Sequence, residues 1–129
     1  MGRKMTFGEF LHTQRLKAGF GLRTFAEAAE LQPSNLSSIE HGRVPPPQNR
    51  RTLARLADLL NLAGGSPERE RLFDLAAEGK DRPPADVAAF AAQTPGVPAL
   101  LRTIENKRLT RDELARVAEY VNRMRRPKA

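Results

Sequence analysis

The sequence contains no cysteine, few β-branched residues and no long apolar run, and each absence excludes a class of protein. Without cysteine, the chain can form neither a disulfide framework nor a thiolate metal site or thiol redox centre. Its longest apolar run, Val87–Ala92, has six residues, whereas a membrane-spanning helix requires roughly 18. The 18 alanines and 16 leucines outnumber the 5 valines and 2 isoleucines almost five to one, which favours helices over strands. The composition therefore predicts an all-α protein.

The charge of the chain is basic and unevenly distributed. Lys and Arg total 22 against 15 Asp and Glu, so the net charge is +7 and the isoelectric point is about 10.8. This balance favours a polyanionic partner such as nucleic acid. Residues 1–64 carry a net charge of +4, residues 65–98 carry −2 and residues 99–129 carry +5. An acidic middle segment between two basic ones favours the N-terminal part as the site that contacts such a partner, and it leaves the role of the C-terminal part open.

Cap signals and apolar residues at helical spacing divide the chain into helices. Thr6 and Glu9 have the spacing of a capping box, in which two side chains satisfy backbone amides at a helix start. Thr110 and Glu113 repeat this signal before the last helix. Between these points, glycines and prolines mark the ends and starts of further short helices.

Two of these short helices are joined by a three-residue connection, which is the arrangement of a helix-turn-helix. The first has apolar residues at helical spacing from Leu22 to Ala29. The second begins at Pro33, whose fixed φ suits the first helical position, and ends at Gly42. Its outer face carries serine and asparagine, where a helix that only packs would favour Lys, Glu or Ala. A plain helical hairpin is therefore the weaker alternative.

The segment Gly19–Arg43 resembles the Xre or lambda-repressor-like (Cro/CI-type) family of helix-turn-helix transcriptional regulators. The residues that carry the resemblance are the Phe25-Ala26 pair, the core positions Leu31, Leu36 and Ile39, and the ending Ile39-Glu40-x-Gly42-Arg43. The resemblance covers about residues 7–62 and implies a five-helix lambda-repressor-like domain followed by a short C-terminal helical extension. The domains that we predict are a helix-turn-helix domain over residues 1–79, a linker over residues 80–84, and a C-terminal helical region over residues 85–129.

The resemblance also implies roles for individual residues. The second helix of the motif would lie in the major groove, where the base-reading side chains would be Pro33, Ser34, Asn35 and Ser38. Family members pair an arginine in the first helix with a glutamate at the end of the reading helix, and the residues at these positions are Arg15 and Glu40. We expect this structural ion pair to orient the reading helix. Contacts to the DNA backbone, which fix the register without reading sequence, are expected from Arg15, Arg23, His41 and Arg43.

Arg50, at the start of the fourth helix, is a further candidate for the DNA backbone, although a basic residue on a helix surface is commonly just solvated. The basic tail formed by Arg123, Arg125, Arg126 and Lys128 is either an arm that binds DNA or a frayed terminus.

The chain departs from the family pattern at three positions. Leu22 stands where a glutamine is common, so one phosphate contact is in doubt unless Arg23 replaces it. Glu30 stands where the turn often has glycine, which predicts an altered turn or backbone angle. Pro33 removes a donor from the start of the reading helix, so only an apolar contact is available there. We therefore expect moderate direct base readout, with DNA shape supplying much of the specificity.

The C-terminal region has apolar stripes on short helices that are too small to form a core of their own. These stripes must pack on the N-terminal domain, on a second copy of the chain, or on another protein. Dimerisation is the favoured choice, because helix-turn-helix proteins commonly read two half-sites. The interface that we predict lies on the last helix and consists of Leu114, Val117, Ala118 and Val121.

These observations predict a sequence-specific DNA-binding repressor that acts as a homodimer on a pseudo-palindromic operator. The alternative is an antitoxin-like or regulatory subunit whose C-terminal helices engage a toxin or protease. We expect no enzymatic activity and no cofactor, because the two histidines lie 29 residues apart and no phosphate-binding glycine loop or nucleophile–histidine pair is present. The first ten residues lack the apolar stretch of a secretory signal, so we expect a cytoplasmic protein without membrane contact.

Overall fold

The structure, a computed structural model, describes residues 4–124, and over that range it contains helices and no strand. The prediction of an all-α protein is confirmed for these residues. Arg125, Arg126 and Lys128 of the basic tail lie outside them. The eight helices of the described range are α1 (Phe7–Lys17), α2 (Leu22–Ala28), α3 (Pro33–Glu40), α4 (Arg50–Leu59), α5 (Pro67–Ala77), α6 (Ala88–Gln93), α7 (Val97–Lys107) and α8 (Arg111–Asn122).

The chain forms two compact units, divided between Ala89 and Phe90. This division falls within α6. The predicted linker over residues 80–84 is irregular and belongs to the first unit. The predicted domain boundaries themselves stay a prediction.

Side-chain oxygens cap four of the helix starts. Both predicted capping boxes are formed: the amide of Glu9 donates to Thr6 Oγ1 at 3.1 Å, and the amide of Glu113 donates to Thr110 Oγ1 at 3.1 Å. The α4 and α5 helices use Asn49 and Ser66 in the same way. These caps satisfy amides that have no partner within the helix, so the local sequence determines where the helices begin.

The first four helices end in the same backbone motif, in which the residue after the C-cap takes a left-handed conformation. At the end of α3, the amide of Gly42 donates to the Ile39 carbonyl at 3.1 Å and the amide of Arg43 donates to the Ser38 carbonyl at 2.8 Å. Equivalent pairs of bonds close the other three ends. The residues in the left-handed position are Gly19 (φ 83°), Glu30 (φ 60°), Gly42 (φ 73°) and Asn61 (φ 60°).

The altered turn that we expected at Glu30 is not found. Glu30 adopts the left-handed conformation that glycine would take, and its amide donates to the Glu27 carbonyl at 3.1 Å. The turn between α2 and α3 therefore keeps the ordinary geometry of this helix end. The cost is backbone strain, because a Cβ is crowded in the left-handed region.

The hydrophobic core is built entirely within the first unit. Its buried apolar residues lie on or beside helices α1 to α5, and the largest fully buried side chains are Phe25, Leu11, Leu36, Leu53, Leu56 and Leu72. No buried side-chain nitrogen or oxygen in the described residues lacks a hydrogen bond. The core therefore holds the helix pair α2–α3 against α1, α4 and α5.

The α1 helix packs tightly against the end of α3 at Gly8. A Cβ on this residue would lie 2.4 Å from the Ile39 carbonyl oxygen and 2.5 Å from that of Glu40. Only glycine fits there without a shift of backbone. This contact places the end of α3 directly against the first turn of α1.

The second unit has no buried residue between positions 90 and 124. Its helices α7 and α8 are amphipathic, yet many of their apolar side chains remain exposed. The large exposed hydrophobic residues of this unit are Phe90, Leu100, Leu101, Leu114, Tyr120, Val121 and Met124.

Candidate nucleic-acid interface

The α3 helix presents two chemically different faces. Leu36 and Ile39 point into the core and are buried. Ser34 and Asn35 are exposed on the other side, whereas Pro33 and Ser38 are half-buried. Among the described residues, the side chains of Ser34, Asn35 and Ser38 have no hydrogen-bond partner. Their donors and acceptors are thus available to an external polar surface.

The end of α3 is held by a buried ion pair with α1. Arg15 donates from Nε to Glu40 Oε2 at 2.7 Å and from Nη2 to Glu40 Oε1 at 3.0 Å. Both residues are nearly inaccessible, at 6% and 7% exposure. Arg15 Nη1 also donates to the Phe20 carbonyl at 3.0 Å, which ties the pair to the connection before α2. Such a two-bond geometry fixes both the distance and the angle between the helices.

His12 is a third member of this cluster, which the sequence analysis did not assign. Its Nδ1 lies 2.9 Å from Glu40 Oε1 and 3.2 Å from Arg15 Nη2. Because the ionised carboxylate can only accept and Arg15 can only donate, Nδ1 cannot bond both at once: a protonated Nδ1 donates to Glu40, and an unprotonated Nδ1 accepts from Arg15 Nη2. The contact with Glu40 is the shorter of the two. The sequence feature that could have indicated this role is the position of His12 on α1, one helical turn before Arg15.

The pKa values of the pair shift in the directions that stabilise its charges. Burial alone raises the pKa of Glu40, but hydrogen bonds from Arg15 and His12 outweigh burial and hold that pKa below its usual range. The hydrogen bond to Glu40 raises the pKa of Arg15, against the effect of desolvation. The pair is therefore charged at neutral pH and acts as a fixed brace for α3.

Three of the predicted backbone contacts are exposed arginines without an ion pair in the described residues. Arg23 lies in the first turn of α2, Arg43 directly follows the α3 end motif, and Arg50 opens α4. The exposed His41 donates from Nδ1 to the Ser37 carbonyl at 2.8 Å, which leaves Nε2 directed away from that bond. By contrast, Arg55 and Arg69 do pair, with Glu30 and Asp58 respectively.

Arg15 differs from these cations, because its burial and its bonds to Glu40 and Phe20 leave little of the side chain for phosphate. The phosphate contact predicted for Arg15 stays a prediction, and its surroundings favour the structural role. The predicted interface residues Leu114, Val117, Ala118 and Val121 lie on α8 of the second unit, at half-buried or exposed positions.

Within residues 4–124, no group of three or more histidines and carboxylates is placed to hold a metal ion. None of the helices over the same range has the length and apolar character needed to cross a membrane.

The comparisons with known proteins agree with the helical arrangement. A family model described as a helix-turn-helix domain matches residues 6–72, just over half of the chain. This range begins at the N-cap of α1 and includes the α2–α3 pair and its brace. No curated protein and no solved structure matches the chain. The chain belongs to the helix-turn-helix domain family, and its N-terminal region is a helix-turn-helix DNA-binding domain.

Proposed function

We propose that the protein is a sequence-specific transcriptional regulator of the Xre or lambda-repressor-like type, with that family's five-helix domain at its N-terminus. It binds a pseudo-palindromic operator as a homodimer in the cytoplasm and represses transcription by occupancy, with no catalytic step and no cofactor. The observation that carries this proposal is the face of α3: exposed polar side chains without partners stand on a helix that a buried ion pair holds in place.

Base readout in this proposal is limited to a few short side chains. Asn35 can pair through two hydrogen bonds with the major-groove edge of adenine, and Ser34 and Ser38 can donate or accept directly or through water. Pro33 offers only an apolar surface, which suits a thymine methyl group. DNA shape and backbone contacts therefore supply much of the specificity.

The backbone contacts would come from cations that have no carboxylate partner of their own. Arg23, Arg43 and Arg50 are exposed and unpaired in the described residues, so binding phosphate breaks no existing ion pair. His41, two residues before Arg43, has one ring nitrogen free of the bond to the Ser37 carbonyl. Each phosphate neutralised in this way releases a counterion and makes affinity depend on salt.

The homodimer would be formed through the apolar face of α8, where Leu114 and Val121 remain exposed. The same exposed face supports a second candidate, in which the C-terminal helices bind a toxin or protease and DNA binding is secondary. Purification from native cells separates the two candidates. A stoichiometric second protein in the purified complex favours the antitoxin-like subunit, whereas a clean homodimer favours the repressor.

The direct test is to select operators from a randomised duplex library and to measure their binding by fluorescence anisotropy across a salt series. Ser34→Ala should reduce the preference for the selected sequence over random DNA. Arg43→Ala should weaken binding to both DNAs and reduce the salt slope by about one. Arg82→Ala, which removes an exposed charge outside the motif, is the control and should change neither quantity. A wild-type protein that enriches no sequence would refute the proposal.

A further inference from the structure

His41, the C-cap residue of α3, has an imidazole ring whose protonation follows from its contacts. Its Nδ1 lies 2.8 Å from the Ser37 carbonyl oxygen and 3.4 Å from Ser37 Oγ. A carbonyl oxygen can only accept, so the shorter contact requires a proton on Nδ1. An unprotonated Nδ1 would place its lone pair against those of the carbonyl oxygen. The ring of His41 is therefore bound to its own helix through Nδ1–H.

The backbone of His41 binds the same acceptor. Its amide donates to the Ser37 carbonyl at 3.0 Å. A carbonyl oxygen has two lone pairs, so it can accept from the ring and from the amide together. The side chain of His41 is nevertheless exposed. These bonds hold the ring at the end of α3 and leave Nε2, on the other side of the ring, to an external partner.

The proton on Nδ1 gives Nε2 opposite properties in the two charge states of the ring. In the neutral ring Nε2 carries no hydrogen and is an acceptor, whereas in the imidazolium cation it is a donor. The phosphodiester oxygens of DNA can only accept. Neutral His41 therefore presents a lone pair to a phosphate, and only the cation can donate a charge-assisted hydrogen bond. An arginine contact has no such requirement, because its guanidinium is always protonated.

We propose that His41 binds a DNA phosphate only as the imidazolium cation, with Nδ1–H on the Ser37 carbonyl and Nε2–H on a phosphate oxygen. A neutral ring takes one proton from solvent at Nε2 when this contact forms, and it can return that proton when the DNA dissociates. The inference rests on the proposed function, from which it takes the phosphate contact of His41. It adds that acidification strengthens DNA binding.

Other titratable and charged groups lie near His41. Glu9 and His12 on α1, and Glu40 on α3, line the same cleft as His41, and Arg43 follows two residues later. Carboxylates ordinarily titrate near about pH 4 and guanidinium groups above about pH 12, whereas histidine titrates near about pH 6.5. The pKa of Glu40 is lowered by its hydrogen bonds from Arg15 and His12. Between about pH 5.5 and 8.5, the side chains near His41 that change charge are therefore histidines, of which the chain has two.

The test measures the affinity of the full chain for a random-sequence duplex by fluorescence anisotropy, from about pH 8.5 to 5.5 at constant low ionic strength. Random DNA is suitable because phosphate contacts do not depend on sequence. Wild-type affinity should rise by about tenfold for each bound chain as the pH falls, which is the lower end of the gain from a hydrogen bond to a charged group. The salt slope at the acidic end should be steeper by about one for each chain.

Substitutions at the two histidines assign the effect. His41→Gln has no charge to gain, so its affinity should change by less than about twofold over this range. His41→Lys stays charged throughout, so its affinity should be as independent of pH and should exceed that of His41→Gln by about tenfold. His12→Gln is the matched control and should keep the rise of the wild type. Circular dichroism establishes that all three variants retain their helices.

Wild-type affinity for random DNA that does not change with pH would overturn the proposal. A rise that His41→Gln retains, or that His12→Gln removes, would do the same. Affinity that falls on acidification would also overturn it, because that sign indicates that the neutral Nε2 accepts a bond from the amino group of a base.

Failure of this inference can be distinguished from failure of the proposed function. A chain that shows the expected pH dependence but enriches no sequence from the randomised library retains the phosphate contact and loses the operator. A chain that enriches a sequence but binds DNA equally at all pH values retains the operator and loses the proton requirement. A chain that binds no DNA loses both.

Discussion

Substitution of Gly8 by alanine tests the contact that places α3 against α1. The added Cβ would lie 2.4 Å from the Ile39 carbonyl oxygen and 2.8 Å from the Glu40 carbonyl carbon, where ordinary contacts begin at 3.4 Å. The two helices must therefore separate by about 1 Å, because the atoms that meet the methyl group all belong to backbone. Overpacking of this kind costs up to about 3 kcal/mol, and the better helix propensity of alanine returns about 0.5–1 kcal/mol.

The net expectation for Gly8→Ala is a loss of about 2 kcal/mol in the free energy of unfolding. For a unit of this size, that loss lowers the melting temperature by about 8–16 °C. Urea denaturation and thermal melts followed by circular dichroism measure both quantities. Gly64→Ala is the matched control, because its Cβ would meet nothing within 4 Å, and it should remain within about 0.5 kcal/mol of wild type.

The displacement should also reach the DNA interface, because Glu40 carries both the contact with Gly8 and the bonds to Arg15. We expect Gly8→Ala to reduce the preference for the selected operator more than the affinity for random DNA. Equal unfolding free energies for Gly8→Ala and Gly64→Ala would refute the reasoning, since the clash would then be relieved without cost.

Two further predictions concern the brace and the turn of the motif. Glu40→Gln should lower the free energy of unfolding by about 3 kcal/mol in urea denaturation, because it leaves the Arg15 charge buried without a partner. The pKa of Glu40 lies below its ordinary value of 4.5. The contribution of Glu40 to the free energy of unfolding is therefore complete above pH 4.5 and is lost as the pH falls through the lowered pKa. Glu40→Gln should flatten this part of the stability–pH curve, and an unchanged curve would exclude Glu40 as its source. Glu30→Asn should raise the unfolding free energy by about 0.5 kcal/mol, because relief of left-handed strain, about 1 kcal/mol, outweighs the loss of an exposed pair with Arg55. Destabilisation by Glu30→Asn would show that the pair outweighs the strain.

Local chemistry explains which parts of the fold could be predicted from the sequence. The capping boxes at Thr6 and Thr110 and the proline starts of α3 and α5 depend on neighbours within four residues, and the structure contains them all. The Arg15–Glu40 pair spans 25 residues and was available only through the resemblance to a family. Given the layout of that family, the residue types at positions 15 and 40 were enough to predict the ion pair.

The features that were not predicted depend on contacts between distant segments. Nothing near Gly8 in the sequence distinguishes it from a glycine that merely weakens a helix, because its reason is a carbonyl 31 residues away. The bond from His12 to Glu40 spans 28 residues and was missed for the same reason. Glu30 was mispredicted differently: the rule that glycine prefers the left-handed region is statistical, and the packing of α2 and α3 outweighs the strain of a glutamate there.

The two units have different roles in the proposed function, because only the first unit buries a hydrophobic core in the described residues. The first unit buries its own core and holds α3 rigidly, but the exposed face of that helix offers only short polar side chains and one proline. A half-site read in this way yields few strong base contacts, so one unit alone discriminates weakly between sequences. Linking two such units makes the second binding event intramolecular and multiplies the discrimination. In the proposed dimer, pairing through the exposed apolar face of α8 therefore provides the sequence specificity that one α3 helix alone lacks. Operator occupancy should rise steeply with protein concentration, because dimerisation precedes tight binding.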